Sequence, residues 1–278
     1  MVIKYRTFKI PKRTGGFRTI EQPIGEGMEI LKEKLIELEK LEYFKPSYLA
    51  HAFMHGRNIV TCAKHHFGKK YIMRIDIKDF FNSISYDNFS KFIAPRLKGE
   101  KLSDVMDKIK ICFRFPEGKD SYLPQGAPTS PFLSNAYLRD FDYRVGFFCA
   151  EREVVYNRYA DDIYLSTDIT NNFFWSCVAC IHNMLKGIGL TENKKKRKLM
   201  HASKRMNVLG IILNEKFHVG RKTRRIIRAM IHNAEKDKKA LTAKQKGIIS
   251  HAAMVENYQS EVIDNIKMLN SYKVLNDI

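Results

Sequence analysis

The sequence predicts an α+β protein, and three observations carry that prediction. The run 154–166, Val-Val-Tyr-Asn-Arg-Tyr-Ala-Asp-Asp-Ile-Tyr-Leu-Ser, puts β-forming residues on both sides of Asp161-Asp162, which reads as a hairpin with the acidic pair at its tip. Between Met28 and Leu41, apolar side chains at 31, 35, 38 and 41 alternate with Glu and Lys at the spacing of an amphipathic helix. The stretch 214–278 reads as helices rich in Lys and Arg, so strands and helices are segregated along the chain.

The remaining elements follow in order. Residues 4–22 form a short β-hairpin whose turn is carried by Lys12-Arg13-Thr14-Gly15-Gly16-Phe17-Arg18. A helix is expected over 57–66, broken by Gly68 ahead of a strand at 71–77. Helical character over 86–113 gives way to a turn at Pro116 to Gly118. In Leu123-Pro124-Gln125-Gly126-Ala127-Pro128-Thr129-Ser130-Pro131 the prolines and the glycine forbid regular structure, and Ser130 or Thr129 is placed to cap a helix from Pro131 to about Arg144. After the acidic hairpin come a helix at 171–187, closed by Gly187 and Gly189, and short strands near 189–192 and 206–213. No repeat and no Ser/Gly/Pro linker separates independent domains, so the expected division is an interleaved body over 1–213 and a basic helical subdomain over 214–278.

Composition narrows the partner. Forty-nine Lys and Arg against 30 Asp and Glu give a formal charge of +19, which points to a polyanion, nucleic acid first. The basic residues are spread along the chain and accompanied by 13 Tyr and 18 Phe, as in a folded binder rather than a basic tail. The start carries no apolar leader segment and the chain no long apolar run, so a cytoplasmic location without membrane contact is expected. Five cysteines form no disulfide framework and fit a reducing compartment.

The acidic tip carries the chemistry. Two adjacent carboxylates repel, and a bound cation is the usual relief. Asp76 supplies a third carboxylate at the end of the apolar run Tyr71-Ile72-Met73-Arg74-Ile75, where an unsatisfied charge would be expensive. Three such carboxylates suit two Mg²⁺ ions in phosphoryl transfer, one ion activating the attacking oxygen and the other stabilising the leaving one.

Asp76 with its strand, the loop Gln125-Gly126-Ala127-Pro128-Thr129-Ser130-Pro131 and Tyr159-Ala160-Asp161-Asp162, in this order, resemble the palm motifs of reverse transcriptases. The resemblance implies a right-hand polymerase fold with fingers, an antiparallel palm sheet carrying the catalytic aspartates, and a helical thumb. It implies catalytic Asp76, Asp161, Asp162 and Lys196 (Lys195 as the neighbouring choice), and two Mg²⁺ ions, with Mn²⁺ as a substitute, held by Asp76, Ile77, Asp161 and Asp162. The dNTP substrate is then met by Lys12 or Arg18 at its triphosphate and by Ile77, Gln125 and Gly126, the glycine letting backbone approach base and sugar. Phe81 matches the bulky position that blocks a ribose 2′-hydroxyl, and Gly210 lies in a segment like the primer-grip hairpin. Lys194 and Arg197 are read as solvated charge.

Within that family the chain is most similar to retron reverse transcriptases. Cys62-Ala63-Lys64-His65-His66 stands in place of an Asn-Ala-x-x-His signature and Val208-Leu209-Gly210 in place of Val-Thr-Gly, with Cys62 for Asn and Leu209 for Thr. Such an enzyme is implied to copy part of a structured noncoding RNA into DNA from an RNA 2′-hydroxyl, giving a branched RNA–DNA product, in antiphage defence beside an effector protein encoded nearby. The alternatives are an abortive-infection type making untemplated or protein-primed DNA, and an RNA-binding scaffold that restrains an effector. Nucleic-acid contacts are expected from Gly210, from His66 (or else a structural role), and from Arg224, Arg225 and Arg228, which face outward while residues 226, 227, 230 and 231 face the core. Cys177 and Cys180, on one helical stripe with Phe173 and Met184, are read as core rather than zinc ligands, and Asp79 as a surface ion pair.

Overall fold

A computed structural model describes residues 3–12, 15–97, 99–237 and 240–256. The chain opens with an antiparallel hairpin, β1 (Tyr5–Pro11) and β2 (Phe17–Pro23), followed by α1 (Glu26–Glu39), α2 (Ile59–Lys64) and β3 (Tyr71–Asp76). Helices α3 (Tyr86–Ile93) and α4 (Leu102–Lys110) are separated by a 3₁₀ turn at Ala94–Arg96, because Pro95 cannot continue a helix. Next come α5 (Thr129–Tyr137), α6 (Arg139–Ala150), the hairpin β4 (Val155–Tyr159) and β5 (Asp162–Thr167), and α7 (Asn172–Gly187). The chain continues with β6 (Lys198–His201), three two-residue strands β7 (Asn207–Val208), β8 (Ile211–Ile212) and β9 (His218–Val219), and helices α8 (Arg221–Asp237) and α9 (Ala243–Glu256).

The central sheet has strand order β4-β5-β3-β6, every neighbour antiparallel. Alternation along β3 and β5 gives each face its own core. Met73, Ile75, Ile163 and Leu165 enter the main core with residues of α1, α3, α4, α5, α6 and α7, whereas Ile72 and Tyr164 enter a second core with Met200, Val208, Ile211, Phe217, Ala252 and Val255. Arg74, Asp76 and Asp162 share the second face, and there they meet.

Four sequence expectations change. The helix expected from Pro131 to Arg144 is two helices joined at Leu138, and Ser130 does not cap: its Oγ donates to the Pro124 carbonyl at 2.7 Å, tying down the loop before α5. The strand near 189–192 shrinks to a single bridge between Ile77 and Glu192, and the fourth strand is β6. Gly189 explains the shift, since its φ of +74° closes α7 with paired bonds from Gly189 N to Lys186 O and Leu190 N to Leu185 O. On α7 the buried stripe is Phe174, Cys177, Val178, Ile181 and Leu185; Phe173 points outward, so Cys177 packs in the core without it. On α8, Ile226 is exposed and Arg224 half-buried, reversing the expected order at those two positions.

The boundary expected at 213 runs through a shared core. β8 pairs with β9 across it, and Leu213 packs in the same cluster as Phe217. Within the basic helical segment, residues 257–278 lie outside the described residues, as do Arg13 and Thr14 in the first hairpin's turn.

A buried polar bracket joins α2 to the acidic hairpin. His66 is fully buried, with Nδ1 2.7 Å from Ser166 Oγ and Nε2 2.7 Å from Asn157 Oδ1, while Asn157 Nδ2 donates to the Cys62 carbonyl at 2.9 Å. The expected nucleic-acid contact by His66 is therefore corrected: a side chain closed off behind β4 and β5 holds structure and does not reach RNA. Burial lowers its pKa to about 4, against a weaker opposing effect from the Asn157 bond.

That bracket sets a pH window. Above the ordinary histidine value both folded and unfolded states are neutral at this site; as pH falls below about 6.5 the unfolded chain gains a proton that the native state refuses until about 4. Between pH 7 and pH 5 the site should cost roughly 2 kcal/mol of stability. Denaturant unfolding of the native chain and of His66→Gln at the two pH values should show the larger acid loss in the native chain, and equal losses would contradict a neutral buried His66.

Candidate active site

Three strands deliver the carboxylates. In the β3–β5 register Asp76 faces Asp162, and in the β4–β5 register Tyr159 faces Asp162, leaving Ala160 and Asp161 as the turn. Ala160 takes a φ of +55°, a left-handed conformation that costs a non-glycine residue free energy. The tip is locked to the next strand end, since Ile77 N donates to the Asp161 carbonyl at 2.9 Å and Asn193 N to the Asp76 carbonyl at 2.8 Å.

Two cations meet the carboxylates. Lys196 Nζ donates to Asp76 Oδ2 at 2.9 Å, and Arg74 binds Asp162 Oδ1 through Nε at 2.9 Å and through its terminal nitrogen at 2.8 Å. Arg74 precedes Asp76 by two residues, so it shares the same sheet face. Asp76 is buried, and its Oδ1 has no hydrogen-bond partner. Burial raises the Asp161 and Asp162 pKa values, Asp162 to about 6; Asp76 pushes both further, and the Arg74 charge works against the rise at Asp162. Among the described residues no group of three or more His, Cys, Asp and Glu side chains is already gathered as a metal cage. An orphaned buried carboxylate oxygen and two carboxyls held in a costly environment are nonetheless what a hard dication with oxygen ligands relieves.

Lys196 is aimed by a pair that sequence reading missed. Arg197 holds both carboxylate oxygens of Glu192, a side chain only 1% exposed, so Arg197 is an anchor and not solvated charge. Lys194–Lys196 forms a 3₁₀ turn between that anchor and β6, and of its three lysines Lys196 is the one on Asp76.

The hairpin β1–β2 docks on the loop ahead of α5. Glu21 N donates to the Gln125 carbonyl at 2.8 Å, Tyr122 donates to Glu21 Oε1 at 3.0 Å, and Arg114 approaches the same oxygen at 3.4 Å. Gly126, at φ +130°, is required by this contact: a methyl group there would come within 2.8 Å of the Glu21 carbonyl oxygen. The sequence-based reason for this glycine was approach to a nucleotide, and the neighbour that excludes a side chain is the hairpin. Arg18 on β2 is exposed and close enough to Asp161 to lower its pKa slightly. Lys12 is exposed at the turn, its amide bonded to the Gly16 carbonyl.

Phe81 begins a 3₁₀ turn and is half-buried at the margin of the main core, 5.1 Å from the Phe80 ring and 6.4 Å from the Phe53 ring. Asp79, expected in a surface ion pair, makes none among the described residues and instead takes a left-handed φ of +46°, its carbonyl accepting from Ser83. Gly210, with Leu209, makes the β7–β8 turn, both residues at positive φ. Arg224, Arg225 and Arg228 sit on α8, outside the carboxylate sheet.

Sequence reading also missed Arg158. Its guanidinium is completely buried, grips Asp142 through Nε at 2.8 Å and a terminal nitrogen at 2.7 Å, and donates its other terminal nitrogen to Asn135 Oδ1 at 3.0 Å and the Ala160 carbonyl at 2.9 Å. The available signal was an arginine inside an otherwise β-forming strand, three residues before the acidic pair.

Comparison with known proteins agrees with this geometry. The family described as reverse transcriptase (RNA-dependent DNA polymerase) matches residues 10–213. The chain is 30% identical over 243 residues to the retron Ec83 reverse transcriptase of Escherichia coli, covering 84% of this chain and 77% of that protein. It is 28% identical over 271 residues to the retron Mx65 reverse transcriptase of Myxococcus xanthus, covering 92% of this chain and 62% of that one. In fold it resembles Candida albicans telomerase, solved with a fragment of telomeric RNA, at TM-score 0.55 and 11% identity over 96% of this chain and 57% of that one. The foamy viral protease-reverse transcriptase, solved with double-stranded DNA, matches at TM-score 0.51 and 16% identity over 96% of this chain and 38% of that one. These two likenesses concern the fold alone and bear out the right-hand polymerase architecture. The chain belongs to the reverse transcriptases, the RNA-directed DNA polymerases, and within them to the retron-type family.

Proposed function

We propose that this polymerase copies part of a structured noncoding RNA into DNA, starting from a 2′-hydroxyl of that RNA, so that the product is a branched RNA–DNA molecule made in the cytoplasm during antiphage defence with an effector protein. The observation that carries the reading is the placement of Asp76, Asp161 and Asp162 at one end of a single sheet, in a chain 30% identical to a retron reverse transcriptase. No helix among the described residues is long and apolar enough to cross a membrane. The charge of +19 supports a partner of RNA and RNA–DNA hybrid, with Gly210 in the β7–β8 turn and Arg224, Arg225 and Arg228 on α8 as contacts.

Asp76, Asp161 and Asp162, with the Ile77 backbone, would hold two Mg²⁺ ions, which when bound activate the attacking hydroxyl and stabilise the leaving pyrophosphate. The protein's own groups do the rest. Asp76 Oδ1 is already free of protein partners, and Lys196 places its Nζ 2.9 Å from Asp76 Oδ2, where it can meet charge on departing pyrophosphate. Arg18 and Lys12 bring positive charge for the triphosphate, Gln125 and Gly126 line the pocket floor where the hairpin docks, and Phe81 stands against the sugar.

Asp161→Asn combined with Asp162→Asn should lower DNA synthesis by roughly 10³-fold or more while RNA binding persists. Near-native synthesis by the double variant would remove these carboxylates from the chemistry. Sequencing the nucleic acid that co-purifies with the protein should return one RNA species joined through a 2′-oxygen to DNA complementary to part of it. DNA with no complement in the bound RNA would refute the copying of that RNA.

A further inference from the structure

Phe53 is an anomaly that packing does not explain. It lies in the irregular segment between the 3₁₀ turn at Glu42–Phe44 and α2, its φ is +57°, and its side chain is 52% exposed. Glycine or asparagine would suit that backbone and a polar side chain would suit that exposure. The residues just before it are the opposite, since Ala50, His51 and Ala52 are buried.

The segment is held by a seam of hydrogen bonds to the acidic hairpin. His51 N donates to the Arg158 carbonyl at 2.8 Å, Arg158 N to the Leu49 carbonyl at 3.0 Å, and Asn135 Nδ2 to the Ala52 carbonyl at 2.8 Å. Arg57 adds bonds to the Tyr48 and Ala50 carbonyls. Asn135 is itself fixed by Arg158, the residue that also holds the Ala160 carbonyl beside Asp161. Strained backbone persists where its surroundings over-determine it, and such positions concentrate at binding and catalytic sites.

Geometry gives the strain a use. The Phe53 ring stands 6.4 Å from Phe81, tilted by 48°, and Phe81 in turn stands 5.1 Å from Phe80, a 6% exposed core residue. Phe80, Phe81 and Phe53 thus make a row from core to solvent. We propose that Phe53 is a second aromatic wall of the nucleotide pocket, a specificity-determining residue that backs Phe81 so that the ring cannot swing away from a ribose 2′-hydroxyl. This rests on the reading of Phe81 as the residue against the sugar. The nucleotide covers the exposed face of Phe53, and the Arg158–Asn135 link fixes that wall to the same hairpin that carries Asp161.

Primer extension on an RNA template, comparing kcat/KM for dNTPs and rNTPs, tests this with Phe53→Ala, Phe53→Gly and Phe81→Ala. An aromatic pair of this kind should contribute about three- to tenfold to sugar selectivity, so both Phe53 variants should lose about that much. Phe53→Gly separates function from folding, because glycine is at ease at this φ: its thermal midpoint should equal or exceed that of the native chain while selectivity falls. Phe53→Tyr should restore the ratio. Native selectivity and dNTP KM in both Phe53→Ala and Phe53→Gly would overturn the proposal, and the third variant then tells what remains. Selectivity lost in Phe81→Ala alone leaves the pocket reading standing, and native selectivity in all three removes that reading as well. Selectivity lost at Phe53 but kept in Phe81→Ala would also overturn the backing role.

Discussion

The rest of the structure depends on one buried ion pair, Arg158 with Asp142. Both side chains are entirely shielded from solvent, and removing two charges from water costs several kcal/mol for each ion. The cost is offset by four hydrogen bonds from the guanidinium: two to Asp142, one to Asn135 and one to the Ala160 carbonyl, with Tyr156 donating to Asp142 Oδ1 at 2.6 Å. A hydrophobic pair of equal volume would commonly be as stable. What only the ion pair does is fix three separate pieces of chain at once: α6 through Asp142, α5 through Asn135, and the strained turn that presents Asp161.

Around that anchor the electrostatics are set against the carboxylates. Two half-buried aspartates with raised pKa values and a buried third with an unpartnered oxygen are held by Arg74 and Lys196, which keeps the tip assembled and accessible to charge of the opposite sign. The β1–β2 hairpin brings Arg18 toward the same point, and its placement comes from Glu21, Arg114, Tyr122 and the missing side chain of Gly126. Positive charge from Arg74, Lys196 and Arg18 therefore stabilises the carboxylate tip.

Much of this was legible in the sequence because it is local. The acidic hairpin, β3, the first hairpin and α7 are written in β-forming runs, helical spacing and glycine stops, and Asp76 announced itself as a charge ending an apolar strand. Contacts between distant residues were not legible. Arg158 lies 16 residues from Asp142 and 23 from Asn135, and no short-range pattern pairs them. Arg197 looked like one charge in a basic run until Glu192 was found buried beneath it. His66 was recognisable as a signature position, but only its burial between Ser166 and Asn157 says that the signature is structural. The apolar cluster that joins Val208, Ile211 and Leu213 to Phe217 and Val219 was not legible either, because packing does not follow a change in charge composition.

Primer extension on a defined RNA template, with one dNTP withheld at a time, tests RNA-directed DNA synthesis most directly. Products should end just before each template base that calls for the missing nucleotide and extend fully when it is restored. Products whose lengths and sequences ignore the template would contradict it.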